Sequence, residues 1–315
     1  MDGGRPLAPY GQVVFSGGGL RCFWHGGWME AVGERVRIEP DRVTGSSGGA
    51  LSAAAWLADR EGFLFERFAR ALERQDSNFS LEEIDGEDGR SAHQRVYESI
   101  VADVIDAEAQ ARIAEGPAFQ INVSTTGDAD HPTLRALAAG AIYQVEQMIA
   151  PTPRPRLSAQ AGIAQRLIDA RRAAREGMLP ELIRMAATVP PAFRPKPWPG
   201  PETEDGAPVY DGGMVDKAPL PDPDEGPTLV LLTKRFRTLP DDDGGRIEYV
   251  TPSAPVLDGW KLNFTDPRLL RQAWDQGRED GALWLERTQE GGPKWHVSHS
   301  SPAEAGGSGP PSRRR

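Results

Sequence analysis

The sequence predicts an α/β domain built on a mainly parallel central sheet, and three stretches of its first sixty residues carry that prediction. "QVVFS" (12–16) is short, β-branched and apolar, as a buried strand is, and a glycine run, "GGGLR" (17–21), follows it at once. "CFWHGGWMEAVGERV" (22–36) then repeats apolar residues at helical spacing, and "RVTGS" (42–46) is a second short strand. The turn "GSSGG" (45–49) opens a helical stretch, "GGALSAAAWLADREGFLFERFARALE", rich in alanine, leucine and arginine. Strand, helix, strand, helix in that order implies parallel strands joined by a right-handed crossover.

The later elements extend the pattern. "SAHQRVYESIVADVIDAEAQARIAEG" reads as helical, and "AFQINVSTT" (118–126) as a third strand. "RALAAGAIYQVEQMI" and "AGIAQRLIDARRAAREGMLPELIRMAATV" also read as helical, with the proline-set loop "APTPRPRL" between them. A long Pro/Gly-rich loop (190–208), a candidate lid, leads into "VYDGG" (209–213). "PTLVLLTKRF" (227–236) holds an apolar strand, and "DPRLLRQAWDQGREDGALWLERT" is a closing helix. From about 291 the composition turns to Gly, Ser and Pro and ends in "RRR". One domain over 10–290 and a disordered tail over 291–315 are therefore expected.

Composition narrows the function. The chain has 315 residues, 38% hydrophobic, with a formal charge of −10. That net charge argues against general nucleic-acid binding, which needs a basic field to neutralise phosphates. A single cysteine, Cys22, excludes a disulfide within the chain. "MDGGRPLAPYGQVVF" lacks the basic and apolar regions of a secretory signal, and no apolar run is long enough to cross a bilayer. The expected location is cytoplasmic, with contact at a membrane surface left to local features. Of these, Trp198, in the loop before "VYDGG", reads first as core or loop packing, with docking at a lipid interface as the alternative. The basic run "RLIDARRAAR" (166–175) reads as a solvated helix face.

Chemistry concentrates in two glycine turns and one aspartate. Strand, sharp turn with G-x-S-x-G, then helix is the context of a nucleophile elbow, and Ser47 stands at its centre. The helix beginning after it favours negative charge at the turn. Gly17, Gly18 and Gly19, at the carboxyl end of the neighbouring strand, can offer backbone N–H groups to an oxyanion. The run lacks the G-K-[ST] of a P-loop, and Cys22 stands where a dinucleotide-binding fingerprint has its third glycine. For the base, Asp211 with His296 or His299 would satisfy the α/β-hydrolase order, but only one strand precedes the serine and both histidines lie at the edge of the tail. His25, His93 and His131 read as surface or structural. Asp211 in "YDGG", between an apolar strand end and two glycines, is the better candidate base.

Together these residues resemble the patatin-like phospholipase family. The resemblance rests on "FSGGGLR" (15–21), "GSSGGAL" (45–51), "AATVPPAFRP" (186–195) and "DGGMVDKAPL" (211–220), in that order. It covers about 12–220, and "LNFTDPRLLRQAWDQGREDGALWL" looks like the family's closing helix. The resemblance implies a three-layer α/β/α fold and a Ser–Asp dyad without histidine. Ser47 would be the nucleophile and Asp211 its base. Gly17, Gly18 and Gly19 would form the oxyanion hole, with Arg21 at the basic position of the glycine motif. It implies lipid or phospholipid substrates, cleavage through an acyl-serine intermediate, and no metal or cofactor. An esterase, thioesterase or transacylase on a soluble acyl substrate, or an inactive lipid-binding protein, are the alternatives. Cys22 replaces the usual glycine, Phe23, Trp24 and Trp28 are bulkier than expected beside an acyl pocket, and Lys217 stands where the family often has asparagine.

Overall fold

The structure is a computed structural model. It describes residues 5–74, 92–126, 134, 138, 141, 152–154, 162–189, 193, 195–203, 206–257 and 266–291. The stretch "RALAAGAIYQVEQMI", apart from two isolated helical positions, and the tail from 292 lie outside the described residues, as do His131, His296 and His299.

Among the described residues, eight strands form one sheet, mostly parallel and flanked by helices. Strands β1 (Gln12–Phe15), β2 (Arg42–Ser46) and β3 (Ala118–Thr125) run parallel, as do β7 (Thr228–Leu231) and β8 (Ile247–Val250) on the other side of β1. Every residue of β1 and β7 is buried; each strand is apolar after its first residue, and those two, Gln12 and Thr228, hydrogen-bond to each other. The antiparallel strands β4 (Ala164–Asp169), β5 (Lys196–Pro197) and β6 (Pro208–Asp211) complete the sheet.

Helix α1 (Phe23–Gly33) follows a single 3-10 turn, Gly19–Cys22. Next come α2 (Gly48–Leu57), α3 (Glu61–Leu72), α4 (Ala92–Val104) and α5 (Ala107–Glu115). The continuous helix expected over 91–116 is two, because the Asp106 side chain accepts from the Ala109 N–H and caps a new start. The helix expected over the 160s is half strand. Residues 164–169 form β4, pairing along β3 from Gln120 to Thr125, and the basic run 166–175 is therefore not one helical face. Asp169 then caps α6 (Ala170–Arg175) by accepting from the Arg172 N–H at 3.0 Å. Helix α7 (Leu179–Ala186) leads back toward β6, and α8 (Arg268–Gly291) closes the described chain.

The largest core lies on the sheet face carrying Val13 and Phe15, where α1, α2, α7 and α8 pack. Val14, Val230 and Leu232 face the other side, where Ala218 and Leu220 cover them. Helices α1 and α8 cross with almost no side chain between them. A Cβ on Gly27 would stand 2.0 Å from the Trp274 carbonyl oxygen, and one on Gly277 2.2 Å from that of Trp24. Around this crossing Trp24 donates to Asp280 at 2.7 Å, and the rings of Trp28 and Trp284 meet edge to face at 5.1 Å. Phe23 packs on Phe65 and Phe68. The bulk expected to crowd an acyl pocket is thus spent on packing helices: Trp24 and Trp28 join α1 to α8, and Phe23 joins it to α3.

Candidate active site

Sheet register brings the two candidate catalytic residues together. β4 occupies one edge of β3 along residues 120–125, so β2 and β6 must share the other edge. β2 ends at Ser46 opposite Asn122, and β6, running the opposite way, ends at Asp211 opposite Val123. The two strands therefore meet nearly end to end, and the residues just past and at their tips, Ser47 and Asp211, face each other. Ser47 Oγ donates to Asp211 Oδ2 at 2.6 Å.

The serine sits on a strained turn. Its φ of 54° and ψ of −132° lie where non-glycine residues rarely go. It stands at the N-terminus of α2, half-buried and so open to a substrate. Gly49 is required by close approach: a Cβ there would lie 2.4 Å from the Phe15 carbonyl oxygen. The turn thereby packs directly onto the end of β1.

Asp211 is fixed from four directions. Its N–H donates to the Thr188 carbonyl at 2.9 Å, and its carbonyl accepts from Ser124 Oγ at 3.0 Å. Its Oδ1 accepts from the Gly213 N–H at 2.7 Å, leaving Oδ2 to Ser47. Asp211 is 7% exposed, so the pair is sheltered from bulk water on the base side.

The glycine loop departs from expectation in one respect. The Gly17 N–H does not face a substrate; it donates to the Lys217 carbonyl at 2.8 Å, and the Gly17 carbonyl accepts from Thr233 Oγ1 at 2.9 Å. The N–H groups of Gly18 and Gly19 meet no acceptor among the described residues. Gly19 is half-buried and packs beside Gly48, whose added Cβ would lie 3.5 Å from the Gly19 nitrogen. Arg21 is half-buried on the 3-10 turn that follows. Cys22 is buried with its thiol 3.6 Å from the Ser16 carbonyl, an apolar filler as its type suggests.

His25 is buried against Phe15, its Nε2 3.2 Å from the Leu231 carbonyl oxygen, and burial lowers its pKa to about 4. Trp198 is not at a lipid-facing surface. It is 2% exposed and donates to Glu202 at 3.1 Å, while the neighbouring residues Lys196–Pro197 pair with β6.

Some neighbours of the pair escaped the sequence reading. Asn122 and Ser46 are fully buried beside the turn after Asp211, and a polar Asn inside the apolar strand "AFQINVST" was the available signal. Asp216 is buried near them; desolvation raises its carboxyl to about 6 against the opposing pull of Arg154 and the Ala218 N–H. The buried Tyr97 hydroxyl meets no hydrogen-bond partner among the described residues, and burial followed by the Asp211 charge pushes its pKa up. Among the described residues, no group of three or more His, Cys, Asp or Glu side chains is gathered to hold a metal ion.

A serine on a strained strand–helix turn, hydrogen-bonded to a sheltered aspartate and flanked by a glycine loop, has the form of an acyl-hydrolase site. The family comparison agrees with that class: the patatin-like phospholipase model matches residues 13–224, and the chain belongs to this family. Membership makes it a lipid acyl hydrolase in general terms. The crystal structure of VipD from Legionella pneumophila is similar in part, with a TM-score of 0.45 at 10% identity over 89% of this chain and 67% of that one. No curated protein matches the sequence significantly.

Proposed function

We infer that the chain is a phospholipase A-type enzyme that cleaves acyl esters of phospholipids with a Ser47–Asp211 dyad. The observation that carries this reading is the 2.6 Å hydrogen bond from Ser47 Oγ to Asp211 Oδ2, with no histidine interposed. Asp211 takes the hydroxyl proton as Ser47 Oγ attacks the ester carbonyl. The N–H groups of Gly18 and Gly19 and the N-terminus of α2 stabilise the oxyanion of the tetrahedral intermediate. When the intermediate collapses, the carbon–oxygen bond to the alcohol breaks and Asp211 returns its proton to the leaving oxygen. Water, deprotonated by Asp211, then attacks the acyl-Ser47 ester. The second collapse releases the fatty acid and restores the serine.

No described helix is long and apolar enough to cross a membrane. Fluorophosphonate labelling with peptide mapping tests the reading, alongside release of fatty acid from phospholipid vesicles. A single adduct on Ser47, with both labelling and release lost in Ser47→Ala, is expected. Labelling at another residue would overturn the dyad, and turnover of soluble esters with none on vesicles would overturn the phospholipid assignment.

A further inference from the structure

Ser47 is the second serine of a doublet, and the first has a separate task. Ser46 Oγ donates to the Asp216 carbonyl at 3.1 Å. Asn122 Nδ2 donates to the same carbonyl at 2.8 Å and to Ser46 Oγ at 3.2 Å. Both side chains are fully buried. The Asn122 Oδ1 meets no partner among the described residues, where the amide serves through its donors. Gly212 is glycine for the same reason, since a Cβ there would stand 2.5 Å from the Asn122 side-chain amide. One residue on, the Lys217 carbonyl holds the Gly17 N–H at 2.8 Å.

Two consecutive carbonyls, those of Asp216 and Lys217, thus tie the turn after Asp211 to the serine turn and to the glycine loop. Both bonds made by Ser46 and Asn122 bridge separate parts of the chain, and neither residue touches the Ser47–Asp211 hydrogen bond itself. β6 and β2 share no ladder with each other; the register of β3 brings their tips together, and the Asp216 carbonyl adds a tie that joins the turn after Asp211 directly to the serine turn.

We propose that Ser46 and Asn122 are positioning residues that hold Asp211 within reach of Ser47 by binding the Asp216 carbonyl. The proposal rests on the acyl-hydrolase reading above. Small displacements of catalytic groups cost large factors in rate, and groups on short turns depend on the supporting hydrogen bonds around them. Asn122→Asp keeps the shape of the side chain but turns its donors into acceptors facing a carbonyl. Ser46→Ala removes one donor, and Ser46→Thr retains the hydroxyl.

The experiment titrates active sites with a fluorophosphonate and measures kcat and KM per titrated site on a short-chain ester, for the full-length wild type and these variants. Expected is a loss in kcat of about tenfold or more for Asn122→Asp and Ser46→Ala, with KM within about twofold, and recovery of most of the loss in Ser46→Thr. A purely structural role would lower the melting temperature or the number of titratable sites and leave kcat per site at the wild-type value; that result overturns the proposal. Should Asn122→Asp fail to fold, the Ser46 pair alone decides it. Wild type without an adduct on Ser47 would instead remove the acyl-hydrolase reading, and this inference with it.

Discussion

Replacing Asp211 with asparagine separates chemistry from structure at this site. The amide keeps the shape of the carboxylate. Its oxygen can still accept from the Gly213 N–H, a contact of 2.7 Å in the native protein, and the backbone bonds to Thr188 and Ser124 are untouched. What disappears is the proton acceptor 2.6 Å from Ser47 Oγ. General-base assistance contributes about 10²–10⁴ in rate, equivalent to about 2.7–5.4 kcal/mol of transition-state stabilisation. The folded state loses one charge-assisted hydrogen bond and is relieved of a buried charge, two effects that oppose each other. Asp211→Asn should therefore lower kcat on a short-chain ester by at least about a hundredfold, with KM within a few-fold and the urea midpoint little changed. Fluorophosphonate labelling of Ser47 should slow in parallel. A variant that kept more than about a tenth of wild-type kcat with normal labelling would refute the assignment of Asp211 as the base.

Two further perturbations probe the frame around the site. Burial raises the Asp216 carboxyl to about 6, above its value in an unfolded chain, so the folded state favours the protonated form. The stability this group contributes is full below about pH 4 and is lost as pH rises through about 6, a change on the order of 3 kcal/mol. Asp216→Asn should accordingly gain stability relative to wild type as urea titrations move from pH 4 to pH 8, and a pH-independent difference would sink the argument. Trp198→Ala removes a side chain that is 2% exposed and should cost about 3–5 kcal/mol. Activity on vesicles and on a soluble ester should then fall together; a loss confined to vesicles would return Trp198 to the lipid surface.

What could be read from the sequence was what is encoded locally. The G-x-S-x-G turn, the glycine run and "DGG" carry their own steric reasons, and β1, β2 and β3 stand out as short apolar runs with clear ends. Contacts set by distant register were not legible. That Gly17 spends its N–H on Lys217, or that Asn122 faces the turn after Asp211, depends on which edge of β3 each strand occupies. Strand β4 was hidden because no glycine or proline separates it from α6, and its arginine- and leucine-containing stretch suits a helix equally well. Trp198 shows the limit of composition: a tryptophan in a proline-rich loop suits packing and a lipid interface alike, and the structure decides for packing, with Lys196 and Pro197 paired to β6 and the ring buried.

The close crossing of α1 and α8 also sets an order of events in biosynthesis. Trp24 and Gly27 leave the ribosome long before Trp274 and Gly277, against which they fit. α1 begins where the glycine loop ends, so the helix that follows that loop lacks its packing partner until α8 arrives. A nascent chain can thus hold Ser47 and Asp211 outside the tunnel and still lack its finished core.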